Sequence, residues 1–307
     1  MRTLPLLTLA AAASLLAGCA SPSDASADGL TVVAAVYPLQ FVAQAVGGEH
    51  VNVDTAVPPG VEPHELELSP AAVRALGAAD LVLRIDGFQA AVDDAVATTG
   101  ARSLDVASVV ALHAGEHEHD DHDAHGEPAD GHGHNHGDLD PHFWLDPRLL
   151  ADFAFALADE LTALDPDHAD AFAANAQRLA SELTALHESF AAGLASCERR
   201  QIVTGHAALG YLAEAYDLEQ LGITGLDPES EPSPARMREI VALVEDSGAT
   251  TVFAEAASAS SVVEAVAADT GVAIAVLSPL ETVGDGEDYL SVMRRNLDAL
   301  REGLGCD

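Results

Sequence analysis

Basic residues are scarce in this sequence. Thirteen arginines and no lysine stand against fifty acidic residues, a formal charge of −37 over 307 residues. So few cations exclude nucleic acid as a partner, because displacing the counterions of a phosphate backbone takes many Lys and Arg side chains. They also exclude electrostatic adsorption to an anionic lipid surface. Cysteine is scarce too, with three in the whole chain, which rules out a cysteine-rich zinc finger. No glycine-rich phosphate loop and no Ser/His/Asp arrangement for nucleophilic catalysis is present. Long apolar runs are missing: the one continuous stretch, Leu4 to Leu16, falls short of the roughly twenty residues that a membrane-spanning helix needs. The negative field that remains draws cations in.

The ends of the chain are informative. Met1-Arg2 followed by the Leu/Ala stretch has the layout of a secretory signal. It ends in Leu16-Ala17-Gly18-Cys19, which resembles a bacterial lipobox. On that reading Cys19 is lipidated, SPSDASADG (21–29) is a polar tether, and a soluble body is held to the outer face of the cell membrane. The plainer alternative is an ordinary signal peptide with an incidental cysteine. In an exported chain the remaining even pair, Cys197 and Cys306, predicts a structural disulfide that pins the C-terminal tail.

With 49 % apolar residues the chain can bury a large core, and its length suggests about two domains. Short apolar runs alternate with helical patterns: strands over 31–38, 51–57 and 80–86, helices over 39–48 and 69–79, the second with Ser69 as N-cap and Pro70 at its first position. Alternation of this kind predicts a parallel α/β sheet. From 147 to about 195 the sequence is helical, broken at Asp165-Pro166, with a second helix of nearly thirty residues, or roughly 40 Å. Alternation then resumes: strands at 201–205, 218–225, 250–255 and 272–278, helices at 206–217, 234–248, 261–271 and 287–304. The expected fold is α/β, two similar parallel-sheet lobes joined by one long backbone helix. The divisions are 1–18 signal, 19–29 tether, 30–146 first lobe, 147–195 helical segment and 196–307 second lobe.

Eight of fourteen histidines crowd between residues 113 and 136: His113, His117, His119, His122, His125, His132, His134 and His136. Their context, HEHDDHDAHGEPADGHGHNH, has no apolar period and reads as a disordered loop, 113–138, that binds several ions weakly. Of the other six, His50, His168 and His187 lie on polar stripes or at a helix end and read as solvated surface. His64 (PPGVEPHELELSP), His142 (DPHFWLDP) and His206 (QIVTGH) lie in turns beside predicted strands or helices. Ligands of open α/β sheets bind outside the carboxyl ends of the strands, so these three imidazoles can converge between two lobes. A fourth ligand is expected from VLSPLETVG as Glu281, with Glu255 at the end of TTVFAE as the competitor. Three imidazoles and a carboxylate suit a closed Zn²⁺ site, whereas Mn²⁺ calls for more oxygen.

The order PHELELSP, His-rich loop, DPHFWLDP, long helix, TGHAALGYLAEAYDL and VLSPLE resembles the zinc-specific solute-binding lipoproteins of ABC importers, the ZnuA/AdcA type of the cluster A-I receptors. The likeness covers essentially the whole mature chain. It implies a monomeric, non-enzymatic receptor that holds zinc between two lobes and docks on a membrane permease, with His64, His142 and His206 on the family's three metal histidines. Many members carry an Asp where this chain has Ser278; others place Ser or Asn before Pro-Leu-Glu and use the Glu, which implies Glu281 here. Manganese-binding relatives have Glu at the third histidine position, so His206 implies zinc. Two other functions are expected to leave different signatures. A secreted zinc hydrolase needs an open coordination position and a base such as Glu255 or Glu65. A surface metal buffer or adhesin would have the His-rich run as its working part.

Overall fold

The computed structural model describes residues 29–58, 61–114, 139–255, 260–284 and 286–307. Cys19, the lipobox, nearly all of the tether and seven of the loop histidines (His117, His119, His122, His125, His132, His134 and His136) lie outside them. Among the described residues no helix is long and apolar enough to cross a membrane.

The first lobe alternates β1 (Leu30–Ala34), α1 (Tyr37–Gly47), β2 (Val51–Thr55), α2 (Pro70–Ala78), β3 (Leu81–Arg84), α3 (Ala90–Thr99) and β4 (Ser103–Asp105). Its four strands are parallel, in the order β2-β1-β3-β4. Ser69 caps α2 as expected, its hydroxyl accepting the Ala72 N–H at 3.2 Å. Next come α4 (Pro147–Leu164) and α5 (Ala169–Gly193). The second lobe repeats the plan with β5 (Gln201–Thr204), α6 (Gly210–Ala215), β6 (Glu219–Gly222), α7 (Pro234–Ser247), β7 (Thr251–Ala254), α8 (Ser261–Thr270), β8 (Ala273–Val276) and α9 (Tyr289–Leu304). Its parallel order is β6-β5-β7-β8. Both sheets reverse strand order beside their first strand, which makes the crevice there a ligand position.

The two lobes share a core. One continuous apolar cluster runs from Val32 and Leu39 through Trp144, Phe153, Leu183 and Phe190 to Phe253, Leu280 and Met293. The α5 helix packs on α1, α4 and α9. Two polar bonds stitch this shared core: Trp144 Nε1–H donates to the Pro279 carbonyl at 2.8 Å, and the Tyr289 hydroxyl donates to the Trp144 carbonyl at 2.6 Å. Separating the lobes would expose close-packed side chains and break both buried bonds, so the frame resists wide hinging.

Several sequence expectations are corrected. The α5 helix has 25 residues, about 38 Å, shorter than the expected thirty. The pair α3 and β4 escaped notice, since α3 is a short Ala/Thr-rich stretch and β4 has three residues. The helix expected over 206–217 shrinks to Gly210–Ala215, so His206 sits in a turn. The cause is local: the His206 carbonyl accepts from Thr204 Oγ1 at 2.7 Å and Gln220 Nε2 at 3.1 Å, which takes it out of a helical ladder. His50, His168 and His187 are half-buried and partnered, not freely solvated. His50 stacks on His168 at 3.8 Å between centroids, His168 Nδ1 lies 2.6 Å from Asp165, and His187 Nδ1 lies 3.2 Å from the Tyr216 hydroxyl.

Cys197 and Cys306 form the expected disulfide, closing a separation of 109 residues. Backbone bonds from Glu198 to Gly305 and from Arg199 to Leu304 accompany it. The bridge ties the tail after α9 to the segment between α5 and β5. Chain entropy assigns a loop of this length about 4–5 kcal/mol, and typical measured values are about 2–4 kcal/mol. Replacing both cysteines by serine is therefore expected to lower the unfolding free energy by about 2–4 kcal/mol, read as a lower denaturant midpoint, and to leave metal stoichiometry intact. An unchanged midpoint in the variant, or in the wild type under reductant, would refute this.

Candidate metal centre

Four side chains from four separate loops meet where the lobes face each other. His64 lies between β2 and α2, His142 between β4 and α4, His206 after β5 and Glu281 after β8. One ligand atom from each lies within 4.8 Å of all the others. Glu281 Oε1 is 3.1 Å from His64 Nε2, 3.0 Å from His142 Nε2 and 3.4 Å from His206 Nε2. A tetrahedral zinc ion with bonds near 2.0–2.1 Å needs ligand atoms about 3.3 Å apart. The Glu281-to-histidine spacings already match that edge length.

Each of these side chains is held from behind. The His64 N–H donates to Glu62 Oε1 at 3.1 Å, its ring meets Phe88 edge-on at 4.8 Å, and Gln89 Nε2 donates to the Pro63 carbonyl at 3.0 Å. His142 is wholly buried. Asp140 Oδ1 accepts its N–H at 2.9 Å and lies 2.7 Å from its Nδ1. That bond puts a proton on Nδ1 and turns Nε2 toward the centre, where it can give up its own proton to an ion. His206, 1 % exposed, receives the same treatment from Glu255, whose Oε1 lies 2.5 Å from Nδ1 and accepts the His206 N–H at 3.1 Å. Gly205 makes room for this carboxylate, since a Cβ there would stand 2.7 Å from Glu255 Oε1. The buried His206 Nε2 faces Glu281 Oε1 at 3.4 Å, the longest of the three histidine approaches to that oxygen.

Glu281 is presented by a tightly built loop. Asn296 of α9 grips Ser278 on both sides, accepting its N–H at 3.0 Å and donating to its carbonyl at 2.8 Å. Ser278 Oγ accepts the Leu280 N–H at 3.1 Å. Leu280 is fully buried with φ at +62°, a left-handed conformation that costs a leucine about 1–3 kcal/mol and persists only where its surroundings enforce it. The loop thus spends Ser278 on its own backbone and turns Glu281 inward.

The charges reinforce one another. Burial alone would raise the Glu281 pKa, but hydrogen bonds from His142, His206 and His64 outweigh it and hold the carboxyl well below its ordinary 4.5. Burial alone would lower the His206 pKa; Glu255 and Glu281 reverse this and push it up to about 10. His142 is raised in the same way against its burial, by Asp140 and Glu281. Glu62 is raised by burial and by the charge of Glu281. Without an ion, the centre is a carboxylate wrapped in imidazoles that attract protons.

Of the residues singled out from sequence, His64, His142, His206 and Glu281 come together. Glu255 stands behind His206 rather than beside the other ligand atoms, Glu65 is exposed, and His113 lies to one side, stacked on Tyr211. Sequence reasoning missed Asp140, Glu62 and Asn296. Asp140 had a signal, two residues before His142 in the same motif; Asn296, on an amphipathic helix, had none.

Two parallel α/β lobes on a shared helical core, with three histidines and a carboxylate at the facing strand ends, define a two-lobed cation-binding protein. The model of the ZnuA family, described as zinc-uptake complex component A, periplasmic, matches residues 32–303, and the chain belongs to that family. It is 33 % identical over 312 residues to the zinc-binding lipoprotein AdcA of Streptococcus pneumoniae serotype 4, covering 98 % of this chain and 61 % of that one. The chain thus spans somewhat under two thirds of the length of that relative. It is 30 % identical to the high-affinity zinc uptake system protein ZnuA of Bacillus subtilis, over 97 % of both. Its fold is similar to the Zn(II)-bound ZnuA-like domain of S. pneumoniae AdcA, with TM-score 0.73, 29 % identity, and 90 % and 99 % coverage of the two chains. It is also similar to the laminin-binding protein Lmb of Streptococcus agalactiae, with TM-score 0.78, 30 % identity, and 90 % and 100 % coverage.

Proposed function

We propose that this chain is an exported, lipid-anchored zinc receptor that captures Zn²⁺ between its lobes and delivers it to an ABC permease for import. His64, His142, His206 and Glu281 are the ligands, and the ion is cargo, not a cofactor. The observation that carries this is the convergence of three imidazole nitrogens on one buried carboxylate oxygen, at 3.0–3.4 Å from it and with all four ligand atoms within 4.8 Å of one another. Relatives named for zinc binding and zinc uptake support the choice of metal. A shell closed by four protein ligands keeps no position for an activated water, which suits a receptor and not a hydrolase. Glu255 is engaged with His206 through both of its bonds, which fits an orienting role better than that of a free base. The shared core favours capture by loop adjustment over wide lobe closure. We take the lobes as 30–146 and 196–307, with 147–195 as the frame between them, and the receptor as a monomer.

Isothermal titration with Zn²⁺ and Mn²⁺, on the mature chain and on a variant lacking residues 117–136, which keeps His113 and Ala114, tests this reading. One tight zinc site is expected in both proteins, with weak additional binding lost from the deletion variant and Mn²⁺ bound far less tightly. Loss of the tight site on deletion, or equal affinity for the two ions, would overturn it.

A further inference from the structure

The histidine-rich segment is rooted beside the metal centre, and its root is built as a knot. Ala114 and Leu139, on either side of the segment, form an antiparallel bridge. The Asp140 N–H donates to the His113 carbonyl at 2.9 Å. Tyr211, from α6 of the second lobe, closes the ring: its hydroxyl accepts the His113 N–H at 2.7 Å and donates to the Asp140 carbonyl at 3.0 Å. The Tyr211 side chain is buried, with the His113 ring stacked on it at 4.1 Å and 16°. Asp140 therefore has both backbone polar groups fixed. Its Oδ1 is committed to the N–H and Nδ1 of His142. Its other oxygen faces Gly210, where an added Cβ would stand 3.1 Å from Oδ2.

We infer that Tyr211 and Asp140 form a positioning unit for the metal centre, which sets the His142 imidazole through the root of the histidine-rich segment. The inference rests on the reading of His142 as a ligand. Asp140 fixes the ring and its tautomer; Tyr211 fixes Asp140 by holding the chain on both sides of it to the second lobe. A metal shell tolerates about 0.5 Å of misplacement, and the tyrosine hydroxyl is what stops the root from sliding by that much. Without it the His113 N–H and the Asp140 carbonyl both lose that partner, and His142 loses its fixed backing. The unit also makes the ligand geometry depend on the lobes being together, since Tyr211 and Asp140 come from opposite sides of the helical frame.

The test is Tyr211→Phe, which removes one oxygen and keeps the stacking ring, together with Gly210→Ala, which crowds Asp140 from its other side while favouring the helix. Zinc affinity is measured by competition with a chelator, and ligand geometry by the visible absorption of the Co²⁺-loaded protein. The expected result is a loss of about tenfold or more in zinc affinity in each variant with an altered Co²⁺ spectrum, a signature that a purely structural clamp would not move. Affinity and spectrum both at wild-type values in Tyr211→Phe would overturn the inference. If that variant does not fold, Gly210→Ala decides: weakened binding supports the unit and unchanged binding overturns it. His142→Ala, run alongside, separates the two failures. If His142→Ala binds zinc like the wild type, the ligand assignment falls; if it binds weakly while the positioning variants do not, only the inference falls.

Discussion

Replacing His206 by alanine is expected to weaken zinc binding by roughly two to four orders of magnitude, the scale set by about 3–5 kcal/mol for removing one partner from a buried charged cluster. The reasons lie on both sides of the ring. In front, the ion loses a buried imidazole nitrogen that faces Glu281 Oε1 at 3.4 Å. Behind, Glu255 loses the ring at 2.5 Å that held its Oε1, leaving a carboxylate aimed at an empty space that water would enter. Competition with a chelator at fixed pH measures the loss. Glu255→Gln provides the comparison: it keeps the shape and removes the charge behind His206, and a smaller loss, about 10–100-fold, is expected. The order of the two effects is the informative part. A loss in Glu255→Gln equal to that in His206→Ala would make Glu255 itself a ligand, and a tight site that survives His206→Ala would remove the assignment altogether.

The loops that carry the four candidate ligands were legible in the sequence because turn chemistry marks them. His64 follows a Pro-Pro-Gly break, His142 sits between two prolines, and Glu281 follows Ser278-Pro279. Such signals are local, and so are the alternating strands and helices that gave the two-lobed plan. What holds the ligands is not local. Asn296 reaches back 18 residues to grip Ser278, Trp144 donates across 135 residues to Pro279, and Gln220 pulls His206 out of the expected helix. A single sequence carries no trace of such pairings, because each residue taken alone reads as an ordinary surface or core choice. For the same reason the preference for Glu281 over Glu255 came from the family resemblance and not from the residues taken alone. Glu255 directly follows β7 and Glu281 lies in the loop after β8 of the same sheet, and only the course of that loop, with Leu280 in a left-handed conformation, sends one carboxylate into the centre while the other stands behind it.

Zinc capture is expected to be a proton exchange. In the ion-free protein His206 keeps its proton up to a pH of about 10, because Glu255 and Glu281 outweigh its burial, while Glu281 stays ionised well below its ordinary range. Zinc needs the Nε2 lone pair, so each ion bound at neutral pH must expel at least that proton. Below pH 10 the apparent affinity therefore falls about tenfold for each unit of acidification, or roughly a thousandfold between pH 8 and pH 5 from His206 alone. His142, raised in the same direction, steepens the fall where it too is protonated. Stability has the opposite sign. A histidine raised from 6.5 to about 10 in the fold stabilises the ion-free protein in full below pH 6.5, and that contribution is lost as pH rises through 10. Acidification thus favours the proton-filled centre and disfavours the zinc-filled one, so the rise in melting temperature caused by zinc should widen steadily from pH 5 to pH 8. Titration calorimetry in buffers of different ionisation enthalpy counts the protons directly, and chelator competition across the same pH range gives the slope. No proton released, together with an affinity flat from pH 5 to pH 8, would mean that the four side chains hold no exchangeable proton where the ion binds.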